Sequence, residues 1–189
     1  MNSKEYKTEL SRIVEETRAE TKRLENEIAV ARASLANPKY SNEYRNETIQ
    51  PQISKLTYQL RDLKQAAVSS IDKLSGEYAD TLAVEMNTLK ADELTDEIKL
   101  LNCGVKLTDR ELETLFDRNA GNKTMQKIVT RYADEHNITI KRSVDNTEYN
   151  ESTRLLKSVG QMYARAFDNP RDDRFYNEIG AAVDALIEE

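Results

Sequence analysis

Apolar and small residues recur near the start of the chain in an unbroken heptad. Leu10, Val14, Thr17, Thr21, Leu24, Ile28, Ala31 and Leu35 are spaced 4, 3, 4, 3, 4, 3, 4. A stripe of that period keeps one side of an α-helix against a partner helix. The pattern predicts a helix over 3–36, capped by Ser3 and ended at Asn37-Pro38, because the residue before a proline is pushed out of the α region. Thr17 and Thr21 are weak knobs within the stripe. Residues 37–47 (NPKYSNEYRNE) are polar, carry two tyrosines and read as a connector with a short helical turn from Ser41.

The same signature then returns. Ile49, Ile53, Leu56, Leu60, Leu63, Ala67, Ser70 and Leu74 repeat the 4, 3, 4, 3, 4, 3, 4 spacing. Pro51 falls near the start of this second helix, where its missing N–H costs little. Tyr78, Leu82, Met86 and Leu89 continue an apolar face at spacings near four, which reads as a stutter after Leu74, with Gly76 able to permit a bend. Leu94, Ile98 and Leu101 extend it, and Gly104 suits a left-handed cap. The second helix is therefore expected over 48–102. Two matched stripes joined by a short connector predict an antiparallel coiled-coil hairpin over residues 1–102.

Residues 103–189 predict a small helical bundle. Thr108 and Glu111 have capping-box spacing, with Leu107 and Leu112 placed as a hydrophobic staple. Leu112, Leu115 and Phe116 share a core face. A turn centres on Gly121, and a helix over 124–135 presents Met125, Ile128, Val129 and Tyr132. Ile138, Thr139 and Ile140 could be extended, and 141–146 reads as a polar linker. A longer helix over 147–167 carries Leu155, Leu156, Val159, Met162, Tyr163 and Phe167, and Asn169-Pro170 breaks it. The last helix, over 171–187, places Phe175, Ile179, Val183 and Leu186 on one face. The fold class expected is all-α: the long hairpin plus the small bundle.

Composition sharpens this picture. Hydrophobic residues make up 38% and charged residues 33% of 189 residues, with only 5 Gly and 3 Pro. That polarity suits long, mostly solvated helices, and so few turn-formers leave little room for a sandwich or barrel. The net charge is −6, and neither half is basic, so no large phosphate-binding footprint emerges. The opening MNSKEYKTEL is polar and charged, unlike a signal peptide, and no apolar run reaches the length of a membrane span. The location expected is the cytoplasm, or a host cytoplasm or virion for a phage-encoded chain.

Candidate chemistry is sparse. One Cys and one His exclude cysteine-based zinc sites and two-histidine metal motifs. Asp92, Glu93, Asp96 and Glu97 give like-charge pairs on a helix face without the Glu-x-x-His motifs of a di-metal site. Cys103 sits at a helix C-terminus, the wrong dipole end for a thiolate. There is no glycine-rich phosphate loop. No cofactor and no metal are expected, and the chain does not read as an enzyme. Residues 105–142 hold eight basic and six acidic residues, including Lys106, Arg110 and Arg118. The helices around Gly121 could act as a helix-turn-helix, giving an alternative nucleic-acid surface at Lys123, Lys127 and Arg131.

The stretch GVKLTDRELETLFDRNAGNKTMQKIVTRYADEHNI, through Leu107, Thr108, Glu111, Leu112, Asn122, Met125, Tyr132, Ala133 and Asn137, resembles helical segments in small structural or assembly proteins of phages infecting Gram-positive bacteria. The coiled-coil front half is similar in style to phage scaffolding and virion accessory proteins. The resemblance implies a noncatalytic role in virion assembly and assigns no residue a function. The expectation from the residues is likewise helix-mediated protein–protein association, with the chain itself or another protein as partner. The candidate interface comprises Leu10, Val14, Leu24, Ile28, Leu35, Tyr40, Tyr44, Ile53, Leu56, Leu60 and Leu63. The hairpin seam is diluted by small and polar residues, and a second subunit would widen it.

Overall fold

The structure, a computed structural model, describes the backbone of residues 1–187 and the side chains of 1–185. Regular structure among them is helical throughout: α1 (Ser3–Ala36), α2 (Asn42–Tyr44), a π-helical turn (Arg45–Ile49), α3 (Gln50–Asn87), a 3₁₀ turn (Ala91–Glu93), α4 (Ile98–Asn102), α5 (Asp109–Arg118), α6 (Lys123–Glu135), α7 (Thr147–Phe167) and α8 (Asp173–Ile187). The protein is an all-α fold of several packed helices.

Packing divides the chain into two units, 1–82 with 152–189, and 83–151. This differs from the expected division at residue 102. The apolar faces of α7 and α8 are buried with α1 and α3, so the C-terminal segment belongs to the first unit.

In the first unit, α1 begins in a capping box set by Asn2 rather than Ser3. Its Oδ1 accepts from the Glu5 N–H at 2.8 Å, and the Glu5 carboxylate accepts from the Asn2 N–H at 2.9 Å. The helix ends at Asn37, extended ahead of Pro38. Seven of the eight heptad positions on α1 are buried, and Leu35 is half-buried. Contacts to α3 run in reverse order along the two helices. Tyr6 hydrogen-bonds Ser75 at 3.0 Å and stacks on Tyr78 with ring centroids 4.7 Å apart, whereas Leu24 and Ile28 cluster with Leu56.

Two expectations for the second helix are corrected. It ends at Asn87, not 102. The Asn87 amide and Thr88 hydroxyl turn back onto the Ala83 and Val84 carbonyls, 2.9 and 2.7 Å away, and Lys90 is extended. Such side chains offer the backbone local partners that compete with helix continuation. The register also slips earlier than expected. Ser70 is exposed, donating its hydroxyl to the Ala66 carbonyl at 2.9 Å, and Ile71 is fully buried in its place. The buried run is thus Ala67, Ile71, Leu74, Tyr78, with the stutter at 67–71.

The cause lies in α7 and α8. Leu156, Val159, Tyr163, Ala166, Phe167, Tyr176, Ile179 and Val183 form one core with Tyr6, Leu10 and Val14 of α1 and the shifted face of α3. Here α3 serves a globular core rather than a two-helix seam. A Cβ on buried Gly160 would run into the Asp72 carboxylate, so the glycine permits a close approach of α7 to α3. On α8 the expected core residue Phe175 is 43% exposed, and Tyr176 is buried instead. The side chain of Leu186 lies outside the described residues.

Polar ties fasten this cover to α1 and α3. The Arg18 guanidinium lies over the Tyr176 ring, 4.2 Å from its centroid. Its Nε donates to the Pro170 carbonyl at 2.8 Å, and it pairs with Asp173. Arg171 donates to Asn26 at 2.8 Å, Lys64 pairs with Asp168 at 3.0 Å, and Lys7 pairs with Asp184 at 2.6 Å.

The two seam threonines differ. Thr17 donates its hydroxyl to the Ile13 carbonyl at 2.7 Å, but the Thr21 hydroxyl is fully buried with no partner. A buried unpaired hydroxyl costs about 1–3 kcal/mol. Thr21→Val, which keeps the shape, is expected to stabilise the first unit by about 1 kcal/mol, whereas Thr17→Val gives little change. Urea denaturation of both variants checks this, and a destabilised Thr21→Val would contradict it.

In the second unit α4, α5 and α6 enclose Leu101, Leu112, Leu115, Phe116, Val129, Tyr132 and Ala133. The Thr108–Glu111 capping box is present, and Leu107 packs on the same core. Gly104 takes the left-handed φ expected of it, +76°, and Gly121, at the expected turn, is left-handed as well at +87°. Asn122 caps α6, accepting from the Met125 N–H at 2.9 Å, and donates to the Glu93 carbonyl at 2.6 Å. Ile138 and Ile140 form no strand. They pack, half-buried, on this core.

Candidate functional site

The residues named as candidate contacts fall into two groups. Leu10, Val14, Leu24, Ile28 and Leu56 are buried within the first unit, so they hold the fold. Leu35, Ile53, Leu60 and Leu63 are half-buried, and Tyr40 and Tyr44 are exposed at 40% and 46%. These six lie along or beside the part of the α1–α3 pair that α7 and α8 leave bare. Among the described residues the polar ties to the cover reach as far as Asn26 on α1 and Lys64 on α3. Residues 27–63 therefore form a two-helix arm.

Sequence dictates how the arm turns. Asn37-Pro38 ends α1, and the Ser41 hydroxyl caps α2 by accepting from the Tyr44 N–H at 3.1 Å. The chain enters α3 through the π-helical turn Arg45–Ile49. That turn sends Ile49 inward, where it is buried, and leaves Tyr44 outward. Arg45 holds the turn by donating to the Asn37 carbonyl at 2.7 Å. Tyr40 and Tyr44 stack with ring centroids 5.2 Å apart and planes 30° apart.

Below the tyrosines is an open groove of about 430 Å³, lined by Asn26, Glu27, Val30, Ala31, Ser34, Tyr40, Tyr44, Ile49 and Gln52. Val30 is 68% exposed, the most exposed of the large apolar side chains among the described residues. Aromatic rings with polar tips beside an aliphatic patch are the composition favoured at protein interfaces. Sequence reading found Tyr40 and Tyr44, placed Ile49 at the head of the second stripe, where it is buried, and missed Val30. Val30 is off the heptad, and that was the available signal: an apolar residue on a helix face that otherwise reads as solvated.

The alternative nucleic-acid residues sit differently. Lys123 pairs with Glu148 at 3.1 Å and Arg131 with Glu135 at 3.0 Å, while Lys127 is half-buried. Arg142 forks onto Asp117 at 2.7 and 2.9 Å, holding that carboxyl below the usual carboxylate range. Residues 83–151 carry ten basic and fourteen acidic side chains. Cations already neutralised this way have less charge to offer a phosphate backbone.

Among the described residues no group of three or more His, Cys, Asp and Glu is placed to hold a metal ion. Cys103 is exposed with its thiol 2.9 Å from the Leu100 carbonyl, and His136 stacks on the Tyr132 ring at 4.0 Å. No helix of the described residues is long and apolar enough to cross a membrane. Comparison of the chain with family models, with characterised proteins and with solved structures finds no match.

Proposed function

We propose that this chain is a noncatalytic structural or assembly protein that works by helix-mediated association, with α1 and α3 acting as an antiparallel coiled-coil hairpin. Its partner is itself or another protein, and the setting is phage virion morphogenesis. The observation that supports this reading best is the arm. Two helices extend past the core they share with α7 and α8, enclose a smaller cluster of Leu24, Ile28 and Leu56, and carry a groove with Val30, Tyr40 and Tyr44 exposed at its rim. An isolated pair of helices buries only one narrow seam, so its remaining apolar surface is stabilised by a further element. The virion setting rests on the resemblance of residues 104–138 and of the long front helices to phage assembly proteins.

A photo-crosslinking side chain placed at Tyr44 and, separately, at Tyr58 tests the association. Both positions are exposed, but only Tyr44 lines the groove. Covalent adducts in the native host are expected from Tyr44 and not from Tyr58. An absence of adducts at Tyr44 under conditions where a known interface is captured would remove the reading.

A further inference from the structure

The buried stripe of α1 runs Tyr6, Leu10, Val14, Thr17, Thr21, Leu24, Ile28, Ala31. Its two polar members are neighbours, and they fall between two separate apolar clusters. Tyr6, Leu10 and Val14 belong to the core shared with α7 and α8, to which α3 contributes Ala67 and Ile71. Leu24 and Ile28 belong to a second cluster with Leu56, against which the half-buried Leu60 and Leu63 pack. Continuous apolar packing therefore stops at Val14 and Ala67 and resumes at Leu24 and Leu63. The shared core holds fifteen buried side chains and the arm cluster three, so the two sides of this gap are held together with very different strength.

The gap is costly to keep closed. The Thr21 hydroxyl is fully buried with no partner, whereas Thr17 donates to its own helix. A motion that lets water reach Thr21 relieves that cost. The gap is also flanked by anchors on the core side. Arg18 fastens α1 to the Pro170 carbonyl and the Tyr176 ring, and Lys64 fastens α3 to Asp168. Past these anchors the exposed Arg171–Asn26 hydrogen bond is the one polar tie between arm and cover among the described residues.

We propose that the threonine layer is a release point built into the fold, where residues 21–63 open as one local unit while the core of α1, α3, α7 and α8 stays closed. Opening hydrates the Thr21 hydroxyl, gives up the Arg171–Asn26 bond and exposes Leu24, Ile28 and Leu56. The freed helical segments, roughly 15 residues each, are too short to hold their helices alone in water, so their backbone hydrogen bonds break. This device operates whether or not a partner binds the arm.

Native-state hydrogen exchange of the full chain tests it. Amides of α1 beyond Leu24 and of α3 ahead of Leu63 are expected to exchange about 100-fold faster than those between Leu156 and Phe167. Within α1 the change is expected as a step between Thr17 and Leu24. Added urea is expected to speed the arm amides less steeply than the core amides, because local opening exposes less surface. Thr21→Val, which keeps the shape and removes the unpaired hydroxyl, is expected to slow the arm amides about fivefold. Thr17→Val is expected to leave them unchanged. Equal protection along α1 from Leu10 to Ile28 overturns the proposal. So does a smooth decline from Thr17 to the connector, which is ordinary fraying. A step that Thr21→Val leaves unaltered, or a Thr21→Val that slows the core amides alone, also overturns the threonine layer as the release point.

Discussion

Replacing Phe167 with alanine is expected to destabilise the first unit by about 3–5 kcal/mol, the largest effect of any single truncation considered for this fold. Phe167 is fully buried in the core that joins all four long helices of that unit. Its ring lies 6.1 Å from Tyr163 and 6.4 Å from Tyr176 between centroids. Truncation removes the ring's transfer free energy and leaves a cavity that four packed helices close only in part. The midpoint of thermal unfolding is expected to fall on the order of 10 °C. Because the chain has two units, a single unfolding midpoint mixes them. Amide exchange in α1 and α7 follows the first unit, and exchange in α5 and α6 serves as the internal reference. Phe175→Ala is the matched control. The same chemical change at an exposed position is expected to stay within about 0.5 kcal/mol. Equal losses from the two would refute the burial assignment.

That pair of phenylalanines also shows what the sequence could reveal. A last helix, read as 171–187 and observed as Asp173–Ile187, was legible, because a 3.6-residue periodicity survives any tertiary context. Its exact face was not. Phe175 and Tyr176 are adjacent, and either can start a spacing that ends at Ile179 and Val183. The choice falls to Tyr176 because its hydroxyl reaches the Ala166 carbonyl at 3.0 Å while its ring receives Arg18, and neither partner is near in sequence. The heptad of α1 was readable residue by residue for the same local reason. The slip at Ala67–Ile71 was not, since it depends on which amphipathic helices dock there. Ser70 fits the seven-residue repeat on paper, but a core shared with α7 and α8 calls for Ile71. Of the candidate site, the tyrosines of the connector were visible by composition. Val30 was not singled out, and Ile49 was read as a stripe position only, because what makes a groove of them is the π-helical turn and the point where the cover of α7 and α8 stops.

Raising the pH from 10 to 12 is expected to unfold the first unit well before its helices would lose stability for other reasons. Three tyrosines in one core are responsible. Burial pushes the Tyr163 hydroxyl from 10.0 up to about 12, with Tyr6, Asp184 and Tyr176 adding to the rise. Burial likewise pushes Tyr176 up to about 12, against the opposing pull of the Arg18 cation. Tyr6 is raised by burial too, partly offset by its hydrogen bond to Ser75. Below pH 10 folded and unfolded chains both keep these protons, so the groups' full contribution is present. Between 10 and 12 the unfolded chain releases protons that the folded core retains, so stability falls as pH rises. At about 1.4 kcal/mol per pH unit of separation, Tyr163 alone accounts for a loss of about 2–3 kcal/mol, with Tyr6 and Tyr176 adding in the same direction. Tyrosinate absorbance is expected to show these three ionising late and together with loss of helicity. Tyr163→Phe keeps the ring and removes the ionisation, so its stability curve between pH 10 and 12 is expected to be shallower than that of the unsubstituted chain. A Tyr163→Phe curve as steep as the original would place the alkaline transition in some other group.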